Sequence, residues 1–487
     1  MTRAYSERIS SSKRTETFND GPAADAPASA PAPARGARAG IPMLTAGGVL
    51  ALLATTVIGV AVPELSAELG AGAADAHWVT TAYLLAAAVG IPLSGWASLR
   101  FGVRATWLAA LAIFTVAAAA AALAPDFGTL VAARAVQGFG GGSLEPLMLT
   151  AVARAAGPAR MGRIMGVVAA AMSLGPLAGP LLGGVSVDAF GWRPTLAGVA
   201  VLGVLVLVGS LLAVRDAERT PARLDAVGLA LLALATSSAL VALSRGGVVG
   251  LAPEVIALLL VAAAAFAAYL LWSRRLGDRA IVDLAVFRAP GAAPAIAVMA
   301  LLGLSIYPLF FGLPQYLQSV AGLPAALAGA MLVPYAVGTL VAMPFAGRLS
   351  DRLGAARPVA VGAGIAVIGA LLLAETGPGT PVWVFVVASL VTGLGLGTIG
   401  SPTVSALYRV LPPRLVPSGS TIFLIGNQLG GALGVAVLAA LLGRAGGGAA
   451  DAGSWPPAAG AAPFWLAVGA AVLVAALSPL LRERRAA

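Results

Sequence analysis

Cysteine is absent from this chain of 487 residues, which excludes disulfides, iron–sulfur clusters and thiolate zinc sites. Histidine occurs once, at His77, and one imidazole cannot build a metal site by itself. Lysine also occurs once, at Lys13 in a polar N-terminal stretch. The chain can therefore hold neither a Walker-type phosphate loop nor a Schiff-base lysine inside a membrane. Charge of either sign is scarce, with Asp, Glu, Lys and Arg together making 10% of the residues. Without a nucleophile–base pair or a metal cluster, no enzyme activity and no cofactor are expected.

What is present is apolar. Hydrophobic residues make 59% of the chain and glycine contributes 61 residues, arranged in runs of about 20, the length that crosses a bilayer as a helix. An all-α integral membrane protein is expected, with spans near 41–62, 78–97, 106–124, 129–152, 162–187, 192–214, 224–243, 250–272, 292–315, 325–346, 358–374, 382–406, 418–442 and 462–481. Both termini then lie on one side. All but four of the 30 basic residues fall there; Arg134 is inside a span, and Arg193, Arg245 and Arg444 are opposite. By the positive-inside rule that side is the cytoplasm, so the net charge of +10 is topological and no nucleic-acid partner is expected. Residues 1–40, polar and then Ala/Pro-rich, read as a disordered cytoplasmic tail rather than a signal peptide, and 482–487 as a second tail.

The chain repeats itself. GWASLRFGVR at 95–104 and GRLSDRLGAAR at 347–357 follow the second and tenth spans, with glycine, serine, arginine and glycine in register at 95/347, 98/350, 100/352 and 102/354. Paired halves of this kind suit alternating access around a central site. The organisation expected is an N-terminal six-helix bundle at 41–214, two inserted helices with their loops at 215–291, and a C-terminal six-helix bundle at 292–481.

One apolar stretch, LVAARAVQGFGGGSLEPLML at 130–149, carries Arg134 and Glu145 at mid-span depth, where a charge costs about 2.5–3.5 kcal/mol on insertion scales. Eleven residues at about 100° each return to within about 20° of the same face, about 16 Å further along the axis. Gly138 and Gly141 lie between the two charges on that face and leave room for water, a substrate or a neighbouring backbone. The pair is either a polar track or two separately paired structural charges.

WVTTAYLLAAAVGIPLSGW (78–96), the two loops, RAVQGFGGG (134–142), LGPLAGPLLGG (174–184), GWR (191–193), LPQYLQSVAGLPAALAGAMLVP (313–334) and NQLGGALGVAV (427–437) together resemble the major facilitator superfamily, and within it the fourteen-span drug:proton antiporters. The resemblance implies a major facilitator fold of 14 transmembrane helices (6+2+6), and export of small lipophilic compounds across the cytoplasmic membrane in exchange for protons. It implies a gating role for Gly95, Arg100, Gly102, Arg104, Gly347, Asp351, Arg352 and Gly354, with Asp351 pairing to Arg352 and Arg357. Gly175, Pro176, Gly179, Pro180, Gly183 and Gly184 look like the antiporter motif. The small-residue face at 175, 179 and 183 allows close helix approach and the prolines invite a bend, so the element is a hinge or seal, or ordinary packing.

Two departures matter. Leu99 stands where the family has a loop aspartate, and Ala54 where it has a membrane-embedded one. Glu145 is then the remaining carboxylate at an unambiguous mid-span position, and proton coupling is expected to rest on Glu145 with Arg134: a carboxylate whose surroundings alternate between a dry cavity and a positive partner can take up and release a proton. In the second half Gln315, Gln318, Tyr335 and Asn427 are the candidate cavity contacts on an aliphatic background, which suits lipophilic compounds better than sugars. No obligate protein partner is expected; the bilayer, the substrate and protons are. The alternatives are a specific metabolite transporter working by uniport or on another ion, and a non-transporting receptor or scaffold.

Overall fold

The computed structural model describes residues 40–70, 78–156, 160–215, 223–319, 325–377, 379–445 and 461–481, with the side chains of some helical positions excepted. The expected tails, apart from Gly40, and His77 lie outside the described residues. Helices account for nearly all of the described chain, as a bilayer demands, because only a helix or a closed barrel satisfies its backbone polar groups without water. The first half comprises α1 (Ile41–Leu69), α2 (Trp78–Phe101), α3 (Val103–Ala122), α4 (Phe127–Ala156), α5 (Met161–Phe190) and α6 (Trp192–Ala213). The inserted pair is α7 (Ala226–Val249) and α8 (Pro253–Leu276). The second half comprises α9 (Ala292–Ser319), the short α10 (Ala325–Ala330), α11 (Leu332–Leu353), α12 (Ala356–Ala374), α13 (Val382–Val410), α14 (Val416–Ala445) and α15 (Ala462–Leu477).

The two halves pair their helices in the same way. In the first, α2 packs on α4, α3 on α4 and α6, and α1 on α5 and α6; in the second, α11 packs on α13, α12 on α13 and α15, and α9 on α14 and α15. The sharp turns after α2 and α11 are also equivalent. Gly102 and Gly354 adopt φ of +88° and +78°, left-handed backbone that side chains with a Cβ resist. We call the end of the molecule holding these two turns the arginine-rich end.

Twelve helices among the described residues are long and apolar enough to cross a membrane, against the fourteen spans expected. The two that fall short are α4, whose apolar run is diluted by Arg134, Glu145 and several glycines, and α5, whose described apolar stretch is Met161–Gly175. The first bundle is locked by buried aromatic side chains with satisfied polar tips. Trp107 of α3 donates to Ser210 Oγ of α6 at 3.0 Å, and Trp192 of α6 to Glu68 Oε2 of α1 at 2.6 Å.

The inserted pair packs against itself, and α7 also packs on α14 and α2. Its hub is Asp225, buried before the first turn of α7. Its carboxylate accepts from Gly228 N (2.8 Å), Trp272 Nε1 (2.8 Å) and Ile281 N (3.1 Å), so one side chain caps α7, ties it to α8 and anchors the segment that leads to α9. Buried carboxylates are tolerated when their oxygens are filled in this way.

Candidate functional site

Arg134 is fully buried in α4. Its Nε donates to the Val79 carbonyl of α2 at 3.2 Å, and one terminal nitrogen to the Ala54 carbonyl of α1 at 3.3 Å and to Gln137 Oε1 at 2.7 Å. The guanidinium lies 4.6 Å from the centroid of the Tyr83 ring, a cation–π contact that a dry site strengthens. The other terminal nitrogen, and Gln137 Nε2, are buried without a hydrogen-bond partner. Arg134 thus staples α1, α2 and α4 together. At the position of the family's embedded aspartate a backbone carbonyl receives the guanidinium instead.

Glu145 lies three turns further along α4 and is not bonded to Arg134. It is partly buried, and no hydrogen bond or ion pair to it exists among the described residues. Tyr83 of its own half and Tyr307 and Tyr408 of the other half are within its electrostatic reach. It therefore faces the space between the halves. Gly138 and Gly141, which share its face, leave no room for water: a Cβ at Gly138 would strike the Tyr83 backbone and one at Gly141 the Tyr83 hydroxyl. Of the three occupants open to that face, the neighbouring helix takes it.

Past Glu145, toward the arginine-rich end, the halves close on each other. Thr150 of α4 and Ser420 of α14 share a hydrogen bond of 3.2 Å, and Tyr408 joins Ser420 at 2.8 Å. Beyond them α5 and α11 cross backbone to backbone, since a Cβ at Gly162 would overlap the Gly347 carbonyl and one at Gly347 the Gly162 carbonyl. At the rim Asp351 of α11 caps α5: Oδ1 accepts from Gly162 N and Oδ2 from Arg163 N, each at 2.8 Å. Four donors at a helix start have no partner within the helix, and a carboxylate there also meets the positive end of the helix dipole. Arg409 of α13 completes the cluster, 3.1 Å from Asp351 Oδ1 and 3.0 Å from Ser350 Oγ.

Asp351 is thus held by Arg409 and not by Arg352 or Arg357, both of which are exposed. In the first-half loop Gly95 packs against Pro417 and Thr421 of α14, Arg104 donates to the Leu211 carbonyl of α6 at 2.9 Å, and Arg100 is exposed. Arg409, Ser420 and Gly162 were missed from sequence. A signal existed for the first: Arg154 follows Gly138 by the interval at which Arg409 follows Gly393, and Gly138 and Gly393 abut the equivalent Tyr83 and Tyr335. By the same register Ser389 and Gly400 stand where Arg134 and Glu145 would.

The face of Gly175, Gly179 and Gly183 docks on α1, at Leu52, Thr56 and Val57. It is a contact inside the first half, and Gly430 and Gly434 of α14 make the matching one against Ala300 and Leu304 of α9. Pro176, Pro180, Gly184, Gln315 and Gln318 lie outside the residues whose surroundings are described. Tyr335 is buried, edge-on to Phe310 at 5.5 Å. Asn427 donates to the Met299 carbonyl of α9 at 3.0 Å, an interhelical bond of the kind neutral polar residues usually make in membranes. A lateral groove of about 740 Å³ opens between α1, α5 and α6, lined by Ile41, Val49, Leu53, Val167 and Val206, with Arg163 at its arginine-rich end.

The family model described as the Major Facilitator Superfamily matches residues 44–435 and 295–487. Among curated proteins the chain is similar to a multidrug resistance protein B homolog of Mycobacterium tuberculosis, 34% identical over 414 residues that cover 81% of this chain and 74% of the relative. It is also similar to a tetracenomycin C resistance and export protein of Streptomyces glaucescens, 29% identical over 81% of this chain and 74% of that one. Among solved structures, the human organic anion transporter MFSD10 superposes with a TM-score of 0.61 at 17% identity, over 92% of this chain and 99% of its own. The proton:xylose symporter XylE superposes with a TM-score of 0.63 at 16% identity, over 90% and 94%.

Proposed function

Because the chain belongs to the Major Facilitator Superfamily, a family of membrane transporters, we propose that it exports lipophilic toxic compounds in exchange for protons. The observation that carries this reading is Glu145: a carboxylate at mid-helix depth, unpaired, turned toward the opposite half, while the neighbouring arginine is already committed to the fold. A group in that place meets first one side and then the other as the halves rock, and its charge must be neutralised or solvated each time. Proton uptake and release is the chemistry available to it.

The substrate side is consistent. The groove beside α1, α5 and α6 is lined almost wholly by apolar side chains. Relatives whose names carry multidrug resistance, and tetracenomycin C resistance and export, favour the same class. We read all fourteen long helices as spans, because α4 and α5 have 30 residues each, about 45 Å at 1.5 Å per residue, and both are packed within the first bundle. The arginine-rich end then faces the cytoplasm, with both termini there. A second reading, uniport of a specific metabolite, is favoured by Ala54, which leaves the middle of α1 without a carboxylate.

The test is efflux of a lipophilic fluorescent cation from proteoliposomes under an imposed pH gradient. Wild type is expected to move the dye against its gradient, and Glu145→Gln only to equilibrate it. Active transport by both would place the proton elsewhere.

A further inference from the structure

The two seams between the halves are not built alike at the arginine-rich end. At the α5–α11 seam Asp351 bonds the Gly162 and Arg163 amides in the first turn of α5 and pairs with Arg409. The internal repeat gives each of these a counterpart at the α2–α14 seam. Leu99 stands for Asp351 and Arg154 for Arg409. Pro417 and Ser418 stand for Gly162 and Arg163, as the approach of Gly95 to Pro417 confirms. The acceptor and one of the two amide donors are therefore gone, and the arginine that remains has lost its carboxylate partner. Leucine offers no acceptor, proline has no amide to donate, and the Arg154 Nε is buried without a hydrogen-bond partner.

The inserted helices cover this seam. Leu232 of α7, Tyr269 of α8, and Ile281 and Val282 of the following segment form a buried cluster that takes in Trp96 of α2 and Ile422 and Ile425 of α14. Asp283 N donates to Ser418 Oγ at 3.0 Å, so the start of α14 is engaged by this segment. The segment is stiff: Ile281 N is held by Asp225, and the Val282 carbonyl accepts from the Tyr269 hydroxyl at 2.7 Å.

We propose that the inserted pair and its 277–288 segment are the second latch, an apolar strap that spans α2 and α14 where the repeat has lost its aspartate. The hairpin travels with α14, to which α7 and Asp283 attach it, and opening of this end pulls Trp96 out of the cluster. The strap closes by apolar contact and the Asp351 latch by charge. The proposal rests on the reading that the halves part at this end, and its test needs neither substrate nor proton coupling.

The chain has no cysteine, so a spin-label pair at Arg100→Cys and Arg414→Cys, both exposed, reports the α2–α14 separation by pulsed electron resonance. In the full chain in lipid nanodiscs, Trp96→Ala is expected to raise the open population about tenfold, about 1.4 kcal/mol by conversion. Adding Leu99→Asp to Trp96→Ala is expected to restore closure, because the new carboxylate meets Arg154 and the Ser418 amide. The restoration also shows that the first variant is folded. A distribution unchanged by Trp96→Ala, while Asp351→Asn alters it, overturns the strap and leaves alternating access standing. A single fixed distance in wild type and all variants overturns both.

Discussion

Arg134 and Glu145 occupy one helix and one face, yet the structure gives them different work. The guanidinium reaches carbonyls of two neighbouring helices and a tyrosine ring, all inside one bundle. Removing it leaves a cavity and undoes three contacts at once, so Arg134→Ala is expected to lower stability by about 2–4 kcal/mol. Arg134→Lys should fall between, since a point charge cannot span both carbonyls. Glu145→Gln removes no hydrogen bond and should leave stability within about 0.5 kcal/mol of wild type, although it is expected to abolish uphill transport. Thermal unfolding in detergent alongside the flux assay separates the two roles. A large loss of stability in Glu145→Gln would mean that the carboxylate is structural after all.

Among the elements, glycine placement decides which helices can touch. Gly138 and Gly142 of α4 admit α2, and Gly393 and Gly397 of α13 admit α11. The carbonyl of Tyr83 or Tyr335 occupies the space that a Cβ at Gly138 or Gly393 would need. Gly138→Ala is therefore expected to push α2 from α4 and destabilise by about 1–3 kcal/mol. Gly198→Ala in α6, where nothing lies within 4 Å of the new atom, should stabilise by up to about 1 kcal/mol through helix propensity. Unfolding midpoints of the two variants check this, and equal shifts would contradict it. Gly175, Gly179 and Gly183 belong to the same class: they fasten α5 to α1.

On the scale of the whole molecule, closure of the arginine-rich end depends on a few contacts between large rigid bundles. Asp351 joins the two at α5, with Arg409 behind it, and both side chains are largely shielded, 15% and 11% exposed. Asp351→Asn keeps the shape but loses the charge that holds Arg409 and meets the dipole of α5. Labels at Arg160→Cys and Arg352→Cys, which flank that seam, are expected to show an open population raised about tenfold or more. No change there would mean that Thr150, Ser420 and the strap close the end without it.

Sequence alone determined the class of the molecule, its helices and its internal repeat, because a bilayer imposes long apolar runs, the positive-inside rule imposes a charge pattern, and both can be counted along one dimension. It also placed a carboxylate and an arginine at membrane depth. Tertiary structure decided what those charges touch. Arg134 reaches helices 80 and 55 residues away, and Asp351 finds Arg409 and the amides of α5 instead of the arginines beside it. Partners of this kind are set by how helices cross, and a crossing is fixed by backbone approach at glycines such as Gly162 and Gly347, whose contribution appears only when both chains of atoms are in place. The inserted pair carries the same lesson. Its sequence is two more apolar runs, and only the packing of α7 on α2 and α14 shows which seam they cover.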